Sequence, residues 1–103
     1  MNDLIKGVQK WSTERKLSNG DSSKQLNKLM EELGELAEGY NKNNNDKIID
    51  SMGDMTVVMI ILCQQLGIDF EGCLQEAYDT IHHRKGKTVN GVFIKESDLN
   101  ETN

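Results

Sequence analysis

Residues 46–66 read DKIIDSMGDMTVVMIILCQQL, and the reading of this stretch decides the fold. From Met55 to Cys63 it is almost wholly apolar. A helix that is apolar all round must be covered on every side. In a chain of 103 residues the expected cover is a second subunit. The first half differs. Asp50 and Asp54 are four residues apart and share a face, which continues as Val57 and Ile61. Two carboxylates thus enter a seam that turns apolar within one turn. Burying unpaired charge is costly, so such groups are paired, protonated or metal-bound.

Outward from this helix, three more are predicted. The first runs from about Asp3 to Arg15, with Leu4, Ile5, Val8 and Trp11 at helical spacing. A loop follows at Leu17–Gly20. The second begins at Asp21 or Ser22, both competent N-caps, and ends near Tyr40. A polar break spans 41–45. Gly67 closes the third helix, and Asp69 caps a fourth whose stripe is Phe70, Cys73, Leu74, Ala77, Tyr78 and Ile81. Asn90-Gly91 between short apolar pairs predicts a hairpin. The expected organisation is one helical domain over 1–95 and a polar tail over 96–103.

Composition agrees. There is no proline, and only Trp11, Tyr40, Phe70, Tyr78 and Phe93 are aromatic. That argues against a β-sandwich and for helices. Seventeen acids against twelve bases give a net charge of −5. A nucleic-acid polymer is therefore not an expected partner. No apolar run approaches about 18 residues, so no membrane span is expected. The opening MNDLIKGVQKW lacks the apolar core of a signal peptide. Cys63 and Cys73 inside helices read as reduced core cysteines of a cytoplasmic protein.

The second helix carries Glu31, Glu32, Glu35 and Glu38. Taken alone, Glu31, Glu35 and Glu38 lie nearly opposite the apolar stripe, as a solvated face would, whereas Glu32 borders the stripe. Like charges at this spacing repel, and a hard divalent cation such as Mg²⁺ would compensate them. Gly34 and Gly53 sit within the acidic stretches, where a glycine costs about 1 kcal/mol relative to alanine. Close helix approach, room for a ligand, or tolerance at a surface each account for them. Asn41, Asn43 and Asn45 alternate like the start of an EF-hand loop, but Asp46 and Met52 stand where glycine and glutamate are required. The basic cluster His82-His83-Arg84-Lys85-Gly86-Lys87 suits a helix C-terminus, and equally a phosphate group.

Together, Leu29-Met30-Glu31-Glu32-Leu33-Gly34-Glu35-Leu36-Ala37-Glu38 and Asp50-Ser51-Met52-Gly53-Asp54 resemble the MazG-like nucleoside triphosphate pyrophosphohydrolases, whose signature is E-E-x-x-E followed by E-x-x-D. Glu31, Glu32, Glu35 and Asp54 match. Ser51 stands in place of the remaining acid, and Asp50, one residue earlier, is its substitute. Gln9-Lys10-Trp11 and the segment from Asp79 to Phe93 resemble the short, phage-type branch. The resemblance implies a four-helix-bundle-like all-α fold with a short C-terminal hairpin or extended tail, assembled as a dimer or dimer of dimers. It implies cleavage of an NTP or dNTP to the monophosphate and pyrophosphate, or a related phosphoribosyl-ATP reaction. A helical dimer that binds nucleotide or a protein without turnover is the alternative from another class. By resemblance, Glu31, Glu32, Glu35, Asp54 and Asp50 are the Mg²⁺ ligands, with Mn²⁺ as a substitute metal. Glu32 and Glu35 are catalytic. Arg84, Lys85 and Lys87 hold the phosphates, and Trp11 stacks on the base.

Overall fold

A computed structural model describes residues 2–101. Its elements are α1 (Asn2–Glu14), a 3-10 turn (Leu17–Asn19), α2 (Ser22–Asn41), α3 (Asn45–Leu66), α4 (Phe70–His82), β1 (Gly86–Val89), β2 (Val92–Lys95) and α5 (Glu96–Glu101). The fold is all-α with a short C-terminal hairpin, as the sequence leads one to expect.

Local chemistry sets the helix ends. Asp21 caps α2 by accepting from the Ser23 amide at 2.9 Å and the Ser23 hydroxyl at 2.7 Å. Those bonds hold the Asp21 carboxyl below its ordinary range. Asn43 takes a left-handed conformation, and the Asn44 amide bonds back to the Gly39 carbonyl at 2.8 Å. Asn44 then caps α3 through the Lys47 amide at 3.2 Å. Gly67, with φ of 69°, ends α3 in a Schellman turn closed by the Ile68 amide on the Cys63 carbonyl. Asp69 accepts from the Gly72 amide at 2.9 Å at the head of α4.

The chain divides into two compact units, the first reaching Cys73 and the second starting at Leu74. In the first unit α2 and α3 form an antiparallel hairpin. Ser22, Gln25, Leu29, Glu32, Leu36 and Gly39 are its buried or half-buried positions on α2. Their steps of three and four make one seam. Gly39 is the close approach. A Cβ there would lie 3.2 Å from the Lys47 side chain and 3.3 Å from the Ile48 amide. Nothing lies within 4 Å of a Cβ built on Gly34 or Gly53, so close helix approach within the chain explains neither. The small core holds Ile5, Val58, Ile60 and Ile61. Polar ties complete it: the Gln64 amide donates to the Gln9 carbonyl at 3.1 Å, and that of Gln65 to the Leu17 carbonyl at 2.9 Å.

In the second unit β1 and β2 pair antiparallel, Lys87 opposite Ile94 and Thr88 opposite Phe93. Asn90 and Gly91 both have positive φ, the turn an Asn-Gly hairpin requires. Pairing puts Thr88 and Phe93 on one face and Lys87 and Ile94 on the other. α5 packs on both strands.

Within the polar tail, residues 96–101 form a short helix, since Glu96 and Asp98 favour a helix start and the hairpin offers a packing surface; Thr102 and Asn103 lie outside the described residues. Two expectations need correction. Cys73 is exposed rather than in the core, while Cys63 is half-buried; both are free thiols. By length and composition α3 does qualify as long and apolar enough to cross a membrane, because Asp50 and Asp54 are its only charges beyond residue 47. Here α2 and α1 pack along it instead.

Candidate active site

α2 and α3 bring three carboxylates together. Glu32, in the α2 seam, is half-buried, and its Oε2 is shut off from solvent without a hydrogen-bond partner. Burial raises the Glu32 carboxyl above its ordinary range, and the charges of Glu35 and Asp54 raise it further. A hydrogen bond between its protonated form and Glu35 acts in the same direction, against a weaker opposing pull from Lys28. Glu31, Glu35, Asp50 and Asp54 are exposed. Glu38 faces elsewhere: its two oxygens pair with Lys42 at 2.8 Å and Lys47 at 3.3 Å, which holds its carboxyl below the ordinary range. Ser51 is buried.

Among the described residues no group of three or more His, Cys, Asp or Glu side chains is arranged to hold a metal ion. The donor chemistry nevertheless fits a hard divalent cation. Glu32 has an oxygen without a donor, and its charge is opposed by two neighbouring carboxylates.

The other predicted site residues divide between the units. Trp11 is 45% exposed, with the Arg15 guanidinium 4.4 Å over its ring. It lines a hollow of about 420 Å³ with Asp3, Leu4, Gly7, Val8 and Val57. Arg84, Lys85 and Lys87 belong to the second unit. Arg84 lines a cavity of about 520 Å³ with Tyr78, Ile81, His82 and Phe93. The strand register sends Lys87 to the opposite face of the hairpin from Phe93. Sequence reasoning passed over Tyr78, His82 and Phe93 as a group. The i, i+4 spacing of Tyr78 and His82 was the available signal.

The family profile described as Phosphoribosyl-ATP pyrophosphohydrolase matches residues 1–85. The chain belongs to that family. The phosphoribosyl-ATP pyrophosphohydrolase family lies, with MazG, in the all-α NTP pyrophosphatase superfamily. The match contains every candidate carboxylate and stops just before the hairpin. An uncharacterized 18.2 kDa protein of the rep-hol intergenic region of Haemophilus phage HP1 (strain HP1c1) is 47% identical over 70 residues, covering 67% of this chain and 43% of the phage protein. The chain thus spans less than half the length of that relative. No solved structure matches it.

Proposed function

We propose that the chain is a pyrophosphohydrolase, cleaving a nucleoside or deoxynucleoside triphosphate to the monophosphate and pyrophosphate. The carrying observation is Glu32, whose oxygen without a partner stands in the α2–α3 seam beside Glu35 and Asp54. In this reading Glu31, Glu32, Glu35 and Asp54, with Asp50 in place of the acid missing at Ser51, hold Mg²⁺. When bound, the ion neutralises phosphate charge and favours attack by water. Glu32 accepts the proton of the attacking water. Arg84, Lys85 and Lys87 supply phosphate donors, and Trp11 an exposed ring for a base.

The family match supports a second substrate, phosphoribosyl-ATP, whose cleavage releases pyrophosphate by the same chemistry. Pyrophosphate release from a panel of NTPs, dNTPs and phosphoribosyl-ATP, with Mg²⁺ or Mn²⁺, decides between them. A folded protein that releases none from any of these is a non-catalytic binder, and the hydrolase reading falls.

The reading also calls for a homo-oligomer. Leu33, Tyr40, Ile49 and Met52 are each more than half exposed. Around them Leu33, Leu36, Ala37, Tyr40, Ile48 and Met52 line an apolar hollow of about 340 Å³. Apolar surface on this scale favours burial against a second copy.

A further inference from the structure

We propose that Cys63 and Cys73 form a reversible disulfide within the chain by exchange with a low-molecular-weight disulfide, Cys73 reacting first and Cys63 closing the bond. Both are free thiols in the first unit, Cys63 near the end of α3 and Cys73 near the start of α4. Only residues 64–72 lie between them. The corner between the helices is built from two hydrogen-bonded turns that meet at Ile68 and Asp69. The Ile68 amide donates to the Cys63 carbonyl at 2.8 Å, and the Cys73 amide to the Asp69 carbonyl at 3.0 Å. Each cysteine is therefore one backbone hydrogen bond from the same corner. Gly67 turns the chain there with φ of 69°, and the Asp69 carboxylate accepts from the Gly72 amide at 2.9 Å. These bonds set the corner without using either thiol.

The two thiols meet across this corner. Burial pushes the Cys63 thiol up, and the charge of Cys73 and a hydrogen bond with it push the same way, ahead of a weaker push from Asp69. A hydrogen bond between thiols requires the sulfurs to be close neighbours. Exposure divides the roles. Cys73 is exposed and Cys63 half-buried, so a dissolved disulfide reaches Cys73 first. The Cys73 thiolate attacks one sulfur of the small disulfide. That S–S bond breaks, and one small thiol leaves with the proton that Cys73 gave up. Cys63 then loses its proton and attacks the Cys73 sulfur, and the second small thiol leaves with that proton. Two cysteine thiols are oxidised to one disulfide, and one small disulfide is reduced to two thiols. The short intervening segment makes the closing step cheap in chain entropy. An exposed cysteine without a neighbouring thiol would stop at the mixed disulfide. None of the residues assigned to the proposed reaction takes part.

The test uses the full chain as wild type, Cys63→Ser and Cys73→Ser. Each folded protein is treated with oxidised glutathione, quenched in acid and mapped by peptide mass. The wild type should lose both free thiols, retain no glutathione, carry a Cys63–Cys73 bond within one chain, and regain both thiols in dithiothreitol. Cys63→Ser should hold one glutathione on Cys73, the trapped first step. Cys73→Ser should react at least about tenfold more slowly, because its remaining thiol is half-buried. Oxidised wild type should melt at or above the temperature of the reduced protein, as a bond that fits the native corner requires. The proposal is overturned if the wild type does not react, keeps glutathione without an internal bond, or links only chain to chain. A bond that dithiothreitol does not reverse, or a lower melting temperature on oxidation, overturns it as well. Equal rates for the two serine variants overturn the order of attack. Mapping of the wild type needs no variant, so it decides the matter even where a serine variant fails to fold.

Discussion

Across the α2–α3 seam, the carboxylate of Asp54 raises the proton affinity of Glu32. Two acids on different helices are thus electrostatically coupled, and the half-buried one carries an oxygen with no hydrogen-bond partner. The arrangement is unfavourable for a metal-free fold and useful to a protein that binds a cation.

Because Glu32 binds its proton more tightly folded than unfolded, its contribution to stability is greatest at low pH. That contribution is lost as pH rises from the ordinary glutamate range through the raised folded value. Glu32→Gln should therefore raise the melting temperature of metal-free protein at neutral pH and change it little below pH 4. The same variant should abolish pyrophosphate release and the thermal shift produced by Mg²⁺. Calorimetry across pH, with and without Mg²⁺, checks all three. A lower melting temperature at pH 7 would contradict the strain assigned to this residue.

Glu38 carries the opposite sign. Lys42 and Lys47 hold its carboxyl below the ordinary range, so its contribution is present above that range and fades as pH falls through the folded value. Glu38→Gln should cost a little stability at pH 7, less in high salt, and none in acid. Activity should stay at the wild-type level, because these oxygens already serve two lysines. A large loss of turnover would place Glu38 in the site.

The glycines separate by surroundings. Gly39→Val should destabilise by about 1–3 kcal/mol through overpacking against Lys47 and Ile48. Gly34→Ala and Gly53→Ala meet open space and should stabilise the helices by up to about 1 kcal/mol. Chemical denaturation measures each. If either alanine variant loses Mg²⁺ response or oligomeric state instead, the open space serves a ligand or a second copy.

Leu33→Lys combined with Met52→Lys should shift the assembly to monomer, read by light scattering. Both residues are more than half exposed in the single chain, so the monomer's own packing loses little. An unchanged assembly would move the interface elsewhere.

The extent of the helices, their caps and the hairpin turn were legible in the sequence because they are local. Asp21, Gly67, Asp69 and Asn90-Gly91 each act within a few residues of their own position. The acidic signature was legible too, since its spacing is a property of one helix at a time. Which acid turns inward was settled only by packing. At about 100° per residue Glu32 merely borders the apolar stripe, and it is α3, bringing Asp54 alongside, that makes Glu32 a seam residue. Partners distant in sequence likewise decided that Glu38 serves Lys47, that Gly39 is the close approach, and that Arg84 shares a cavity with Phe93 while Lys87 takes the other face of the hairpin. Periodicity fixes a side chain's angle on its own helix or strand; only the neighbouring element determines what that angle meets.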